Sequence, residues 1–203
     1  MNEISAPAAD HFEFTSENQA RVDAIIGNYP EGRKASAVMP LLDLAQRQNG
    51  GWLTRAAIEH VADRLDMPPI RVEEVATFYT MFNLKPVGEH LVQVCTNLPC
   101  WLRGSDEIVR ACEKTLGVGL GGTTADGKFT LVEVECLGAC VNAPVVQIGD
   151  DYYEDLDADR TAAVLEALRR GEKPKPGPQI ERQTSCPVGG PTTLLAGAGA
   201  GES

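Results

Sequence analysis

The 203-residue chain reads as α+β, with an N-terminal helical bundle over residues 16–85 and a compact mixed α/β unit over residues 86–170. Three observations predict this. Apolar residues recur at helical spacing through the first part. The period changes near Asn83-Leu84-Lys85-Pro86-Val87-Gly88. Short β-rich runs then alternate with helical ones, which is the pattern of a mixed α/β unit. Residues 1–15 read as a flexible N-terminus and residues 171–203 as a Pro/Gly-rich tail.

Taken in order, four segments carry the i, i+3, i+4, i+7 stripe of a core-facing helix. They are Val22/Ile25/Ile26/Tyr29, Val38/Leu41/Leu42/Ala45, Ile58/Val61/Ala62/Leu65 and Val72/Val75/Ala76/Tyr79. Ser16, Ser36 and Thr54 stand where N-caps belong, and Gly50-Gly51 closes the second segment. Pro68-Pro69 ends the third and opens the fourth. Beyond the change of period, His90–Val94, Phe129–Val134 and Val145–Ile148 read as strands. A helix with Ile108, Val109, Cys112 and Leu116 on one face lies between the first two, and a last helix covers about Thr161–Arg170. The expected order is β-α-β-β-α. From Gly171 onward there are 7 Gly and 5 Pro in 33 residues. Such a segment buries too little apolar surface to offset its ordering entropy, so it reads as a disordered tail or an arm laid over a partner.

The charge balance narrows the function. Lys plus Arg total 18 against 29 Asp plus Glu, a net charge of −11. With no basic cluster, nucleic acid and anionic lipid are poor partners. No apolar run approaches the roughly 18 residues of a membrane span, so direct membrane insertion is not expected. The start, MNEISAPAADHFEF, has neither the basic nor the apolar region of a secretory signal, and lacks the arginines of a mitochondrial presequence. The expected compartment is a reducing cytoplasm, where grouped cysteines point to metal or redox chemistry more than to structural disulfides.

Four of the six cysteines are grouped. Cys95 and Cys100 form a C-x4-C pair, and Cys136 and Cys140 form a C-x3-C pair. Each pair leaves the C-terminal end of an expected strand, so two adjacent loops bring four thiolates together. Pro99 and Gly138 suit tight turns whose N–H groups point inward, towards cluster sulfur. Three chemistries compete for such a set. A [2Fe-2S] cluster takes four thiolates, and known ferredoxin spacings include C-x4-C. Structural zinc also takes four, usually from knuckles with two to four intervening residues, most often two. Thiol–disulfide exchange favours C-x-x-C at a helix N-terminus, which neither pair has. Cys112 lies on the apolar stripe of its helix and reads as a core residue; Cys186 reads as an exposed thiol of the tail.

Around these cysteines the chain resembles a known family, the 24-kDa or E subunit of respiratory NADH:quinone oxidoreductase (complex I). The resemblance is carried by Ala76-Thr-Phe-Tyr-Thr-Met-Phe-Asn-Leu84, Val94-Cys-Thr-Asn-Leu-Pro-Cys-Trp-Leu-Arg-Gly104 and Phe129-Thr-Leu-Val-Glu-Val-Glu-Cys-Leu-Gly-Ala-Cys140. Asn142-Ala-Pro144 and Asp150-Asp-Tyr-Tyr-Glu154 add to it, and 35 residues separate Cys100 from Cys136, as the family pattern requires. The resemblance covers about residues 15–170. It implies a thioredoxin-like domain after the helices, with one [2Fe-2S] cluster on Cys95, Cys100, Cys136 and Cys140. It also implies docking, through the helical bundle, on a partner subunit that holds FMN and binds NADH. Other peripheral-arm subunits would complete a complex on the cytoplasmic, inner face of the membrane. Asn97-Leu98 stands where the family carries a Thr-rich version. Soluble NAD-linked hydrogenases and formate dehydrogenases use a similar diaphorase subunit; a zinc-stabilised interaction module and a free ferredoxin are the other readings.

Three features read as structure. Gly117-Val-Gly-Leu-Gly-Gly122 matches G-x-G-x-x-G, but it follows a helix and precedes a strand, the reverse of a dinucleotide loop. It reads as a helix stop, and NADH binding then belongs to a partner chain. Between Glu133 and Asp159 lie eight acidic residues and no Lys or Arg, reading as a solvated loop with negative charge at a helix N-terminus. Phe78, Tyr79 and Phe82 read as core or inter-subunit packing. No triad, phosphate loop or paired-carboxylate motif indicates catalysis by this chain alone.

Overall fold

The computed structural model describes residues 11–190 and Thr193. The chain divides into two compact units, Met1–Glu89 and His90–Ser203. The first contains α1 (Ser16–Gly27), α2 (Val38–Gln48), α3 (Arg55–Leu65) and α4 (Pro69–Phe78), with a 3-10 turn at Lys34–Ala37 before α2. Their apolar stripes meet in one core, in which Val22, Leu41, Leu42, Ala45, Val61, Ala62 and Val72 are fully buried.

The caps differ in detail from expectation. Thr54 caps α3 as expected, its hydroxyl accepting from the Ala57 N–H at 3.1 Å. Thr15 rather than Ser16 caps α1, because its side chain reaches the Asn18 N–H. Ser36 lies inside the 3-10 turn and caps nothing, leaving Ala37 at the start of α2 without a side-chain cap.

The stretch expected to be a flexible N-terminus is packed from His11 to Thr15, with Phe12 and Phe14 buried; residues 1–10 lie outside the described residues. The two rings flank His60 edge-on, at 5.6 and 5.3 Å between centroids. Nε2 of His60 is buried without a hydrogen-bond partner. Burial lowers its pKa below the ordinary histidine value, Arg64 and His11 adding to the effect and Glu13 and Asp63 opposing it. The unfolded chain therefore binds more protons than the folded one once the pH drops below about 6.5. Stability of this unit is expected to fall between pH 7 and pH 5.5 in denaturant titrations, and His60→Leu should flatten the dependence. An unchanged slope in that variant would assign the effect elsewhere.

The second unit is a five-stranded sheet of order β2-β1-β3-β4-β5. Its strands are β1 (His90–Cys95), β2 (Phe129–Val134), β3 (Val146–Ile148), β4 (Asp151–Glu154) and β5 (Gly177–Pro178). The β1–β2 and β4–β5 pairs are parallel, the others antiparallel. Three helices accompany them: α5 (Leu98–Leu102), α6 (Ser105–Leu116) and α7 (Ala158–Arg169). Val92, Val94, Phe129, Leu131, Val146, Ile148 and Tyr153 of the sheet share one core with Ile108, Cys112 and Leu116 of α6 and Val164 and Leu165 of α7. Cys112 is thus a core residue, and burial pushes its thiol pKa up to about 12. Gly117 ends α6 in the left-handed region at φ 72°, which accounts for the first glycine of the Gly-rich stretch.

The tail is corrected over its described part. Residues 177–178 add β5 to the sheet, pairing Tyr153 with Gly177 and Glu154 with Pro178. Glu154 also accepts from the Gln179 N–H at 2.9 Å. The Pro/Gly composition excludes helix but not an edge strand held by backbone bonds. Except for Thr193, residues 191–203 lie outside the described residues.

Candidate metal centre

Parallel pairing of β1 with β2 sets Cys95 opposite Val134. Both cysteine loops therefore leave neighbouring strands at the same end. Cys95 ends β1, with its N–H donating to the Val145 carbonyl at 3.2 Å. Asn97 then opens the short α5, its side chain accepting from the Leu98 N–H at 3.0 Å, and Cys100 sits within that helix. Cys95 and Cys100 are buried, whereas Cys136 and Cys140 are exposed.

The second loop turns at Gly138, whose φ of 84° suits glycine and strains other residues. That turn directs the Gly138 N–H onto Sγ of Cys136 at 3.4 Å. Sγ of Cys136 and Sγ of Cys140 lie 3.4 Å apart.

Two side-chain bonds tie the first loop to the end of β2 and the residue beyond it: the Thr96 hydroxyl to the Glu133 carboxylate, and Asn97 Nδ2 to Glu135 Oε2 at 2.6 Å. Tyr152 donates its hydroxyl to the Leu137 carbonyl at 2.9 Å. Arg103 points Nε at the Ala143 carbonyl at 3.4 Å. The acidic stretch is therefore not simply a solvated face, because Glu133 and Glu135 fasten the first loop, Glu154 bonds Asn142 and Asp157 caps α7.

Burial pushes the Cys100 thiol up to about 12; a hydrogen bond with Cys95 and the charge of Cys140 act in the same direction, and a backbone bond at Val145 opposes them. The hydrogen bond with Cys136 raises the Cys140 thiol, helped by burial and by the charges of Cys136 and Cys95. Among the described residues no group of three or more His, Cys, Asp or Glu side chains is gathered closely enough to hold a metal ion.

Several features were not legible in advance: the helical setting of Cys100, the strand formed by Asp151–Glu154, and Asn142, which is buried just after Cys140. Phe82 is core as expected, whereas Phe78 and Tyr79 are exposed.

The model of the thioredoxin-like [2Fe-2S] ferredoxin family matches residues 22–169. The E subunit of the NADH-quinone oxidoreductase of Rickettsia conorii is 62% identical over 159 residues, covering 78% of this chain and 95% of that protein. The mitochondrial NADH dehydrogenase [ubiquinone] flavoprotein 2 of Dictyostelium discoideum is 52% identical over 184 residues, covering 91% of this chain and 74% of that one. Among solved structures, an NAD+-reducing [NiFe]-hydrogenase aligns with a TM-score of 0.56 at 22% identity, over 64% of this chain and 23% of that one, a likeness of fold alone. With most of its length matched and the parallel sheet edge setting two cysteine loops side by side, the chain belongs to the thioredoxin-like [2Fe-2S] ferredoxin family.

Proposed function

We propose that the chain is the electron-transfer subunit of an NADH:quinone oxidoreductase and holds one [2Fe-2S] cluster on Cys95, Cys100, Cys136 and Cys140. The observation that carries the site is the pairing of its thiols. Sγ of Cys136 and Sγ of Cys140 stand 3.4 Å apart, and Cys95 and Cys100 are presented by the neighbouring loop, across the parallel β1–β2 edge. A two-iron cluster asks for a pair of thiolates at each iron, whereas a structural zinc draws four ligands to one point. When bound, the cluster supplies a one-electron store.

The chain's own residues shape that store. The Gly138 N–H donates to the Cys136 sulfur, a bond that favours added negative charge there. Glu133 at the end of β2 and Glu135 just beyond it bond the first cysteine loop, and their charge disfavours reduction. Cys95 and Cys100 are shielded from water, while Cys136 and Cys140 face the surface, so electrons enter and leave on the side of the second loop. The partner in this reading is the protein that holds FMN and binds NADH, within a peripheral arm. The relatives that are E subunits of NADH-quinone oxidoreductases support that assembly. No helix among the described residues is long and apolar enough to cross a membrane, which is consistent with a peripheral position.

The test is the EPR spectrum of anaerobically purified, dithionite-reduced protein, with iron and acid-labile sulfide counted on the same sample. The expected result is a rhombic spin-one-half signal with iron and sulfide in equal amounts. A colourless, EPR-silent sample containing zinc would overturn the reading. Co-purification then fixes the complex: an FMN-bearing partner without nickel, molybdenum or tungsten is expected, and nickel would mark a hydrogenase diaphorase.

A further inference from the structure

The second cysteine loop is held from behind by the segment that follows α7. Asn142, buried two residues after Cys140, donates from Nδ2 to Glu154 Oε2 at 2.6 Å and to the Thr184 carbonyl at 3.0 Å. Its own carbonyl accepts from the Asp155 N–H at 2.7 Å. Asp155 takes the left-handed conformation, at φ 51°, and its Oδ1 meets Nη1 of Arg182 at 2.9 Å. These two charged side chains are only 5% and 6% exposed. The same segment is fastened along its length: Tyr153 donates its hydroxyl to the Pro174 carbonyl, β5 pairs with β4, and Arg160 Nε donates to the Gln179 carbonyl.

An ion pair removed from water costs desolvation that its attraction only partly offsets, so its value lies more in fixing one arrangement than in raw stability. Here the arrangement fixed is that of Asn142, whose side chain bonds both β4 and the post-α7 segment two residues after Cys140. We propose that residues 174–184 form a clasp that positions the Cys136–Cys140 loop, with Arg182 and Asn142 as positioning residues for Cys140. The clasp acts on cluster retention, which rests on the ligand assignment above, and on loop mobility, which does not.

The full chain, loaded with iron and sulfide, is tested with Asn142→Ala and Arg182→Met. Removing supports behind a ligand typically weakens metal binding by 10- to 100-fold. Both variants are therefore expected to lose the cluster absorbance to a chelator about tenfold faster or more than the parent, with a broadened EPR signal. In the cluster-free chain, amide exchange at residues 139–143 should rise while that of β1 and β2 stays unchanged. Should Arg182→Met fail to fold because Asp155 is left buried and unpaired, the Asp155→Asn/Arg182→Met variant removes both charges and is expected to show the same loop exchange. Parent-like chelation and parent-like loop exchange in Asn142→Ala would overturn the clasp. If the parent holds no cluster at all, the electron-transfer reading fails, and loop exchange alone decides the clasp.

Discussion

Cys136→Ala is expected to yield a folded chain without a cluster. The remaining ligands cannot complete a four-thiolate set, and Cys140 would lose the sulfur 3.4 Å away with which it pairs. Cys136 is exposed, so the substitution removes no packed core atoms and leaves little cost to folding. The reduced protein should be EPR-silent, iron should fall to background, and far-UV circular dichroism should keep its helical signal. The same loss is expected for Cys95, Cys100 and Cys140, whereas Cys112→Ala should keep the cluster, because Cys112 belongs to the core formed with α6 and α7. A full EPR signal in Cys136→Ala would remove Cys136 from the ligand set.

Phe129→Ala should have the largest effect on stability. The ring is 0% exposed at the start of β2, packs 5.1 Å from the His90 ring and lies under the Arg169 guanidinium at 5.8 Å. Arg169 is itself held by the Thr115 carbonyl and Glu166, so it cannot readily collapse into the gap. A buried Phe→Ala change in such a setting costs about 3–5 kcal/mol. For a unit of this size that lowers the melting temperature by roughly 15 °C. The loss should be confined to the sheet unit, since α1–α4 share a core of their own residues. Calorimetry with hydrogen exchange on each unit checks this; a cost under about 1 kcal/mol would mean that the site repacks.

Why some elements were legible and others were not follows from range. The four N-terminal helices announce themselves because the stripe Ile58/Val61/Ala62/Leu65 needs only local spacing to be read. β1 and β2 are visible for the same reason, as short runs rich in β-branched and apolar residues. By contrast α5 has five residues, too few to show a period, and β4 reads Asp-Tyr-Tyr-Glu, with only Tyr153 buried. β5 has no side-chain pattern at all, being two residues paired through the backbone. At the site, cysteine identity and spacing point to the loops, but Asn142 meets Thr184 across 42 residues and Asp155 meets Arg182 across 27. No local pattern encodes bonds of that range.

The parallel edge between β1 and β2 also has a consequence in time. Two parallel neighbours cannot be joined by a tight turn, so the chain must complete the α5–α6 crossover before β2 comes alongside β1. Cys95 and Cys100 leave the ribosome well ahead of Cys136 and Cys140, and the two pairs become neighbours only when this non-local pairing closes. Iron delivered earlier would find half a site. On the proposed ligand set, cluster insertion therefore waits for the β1–β2 pairing to close.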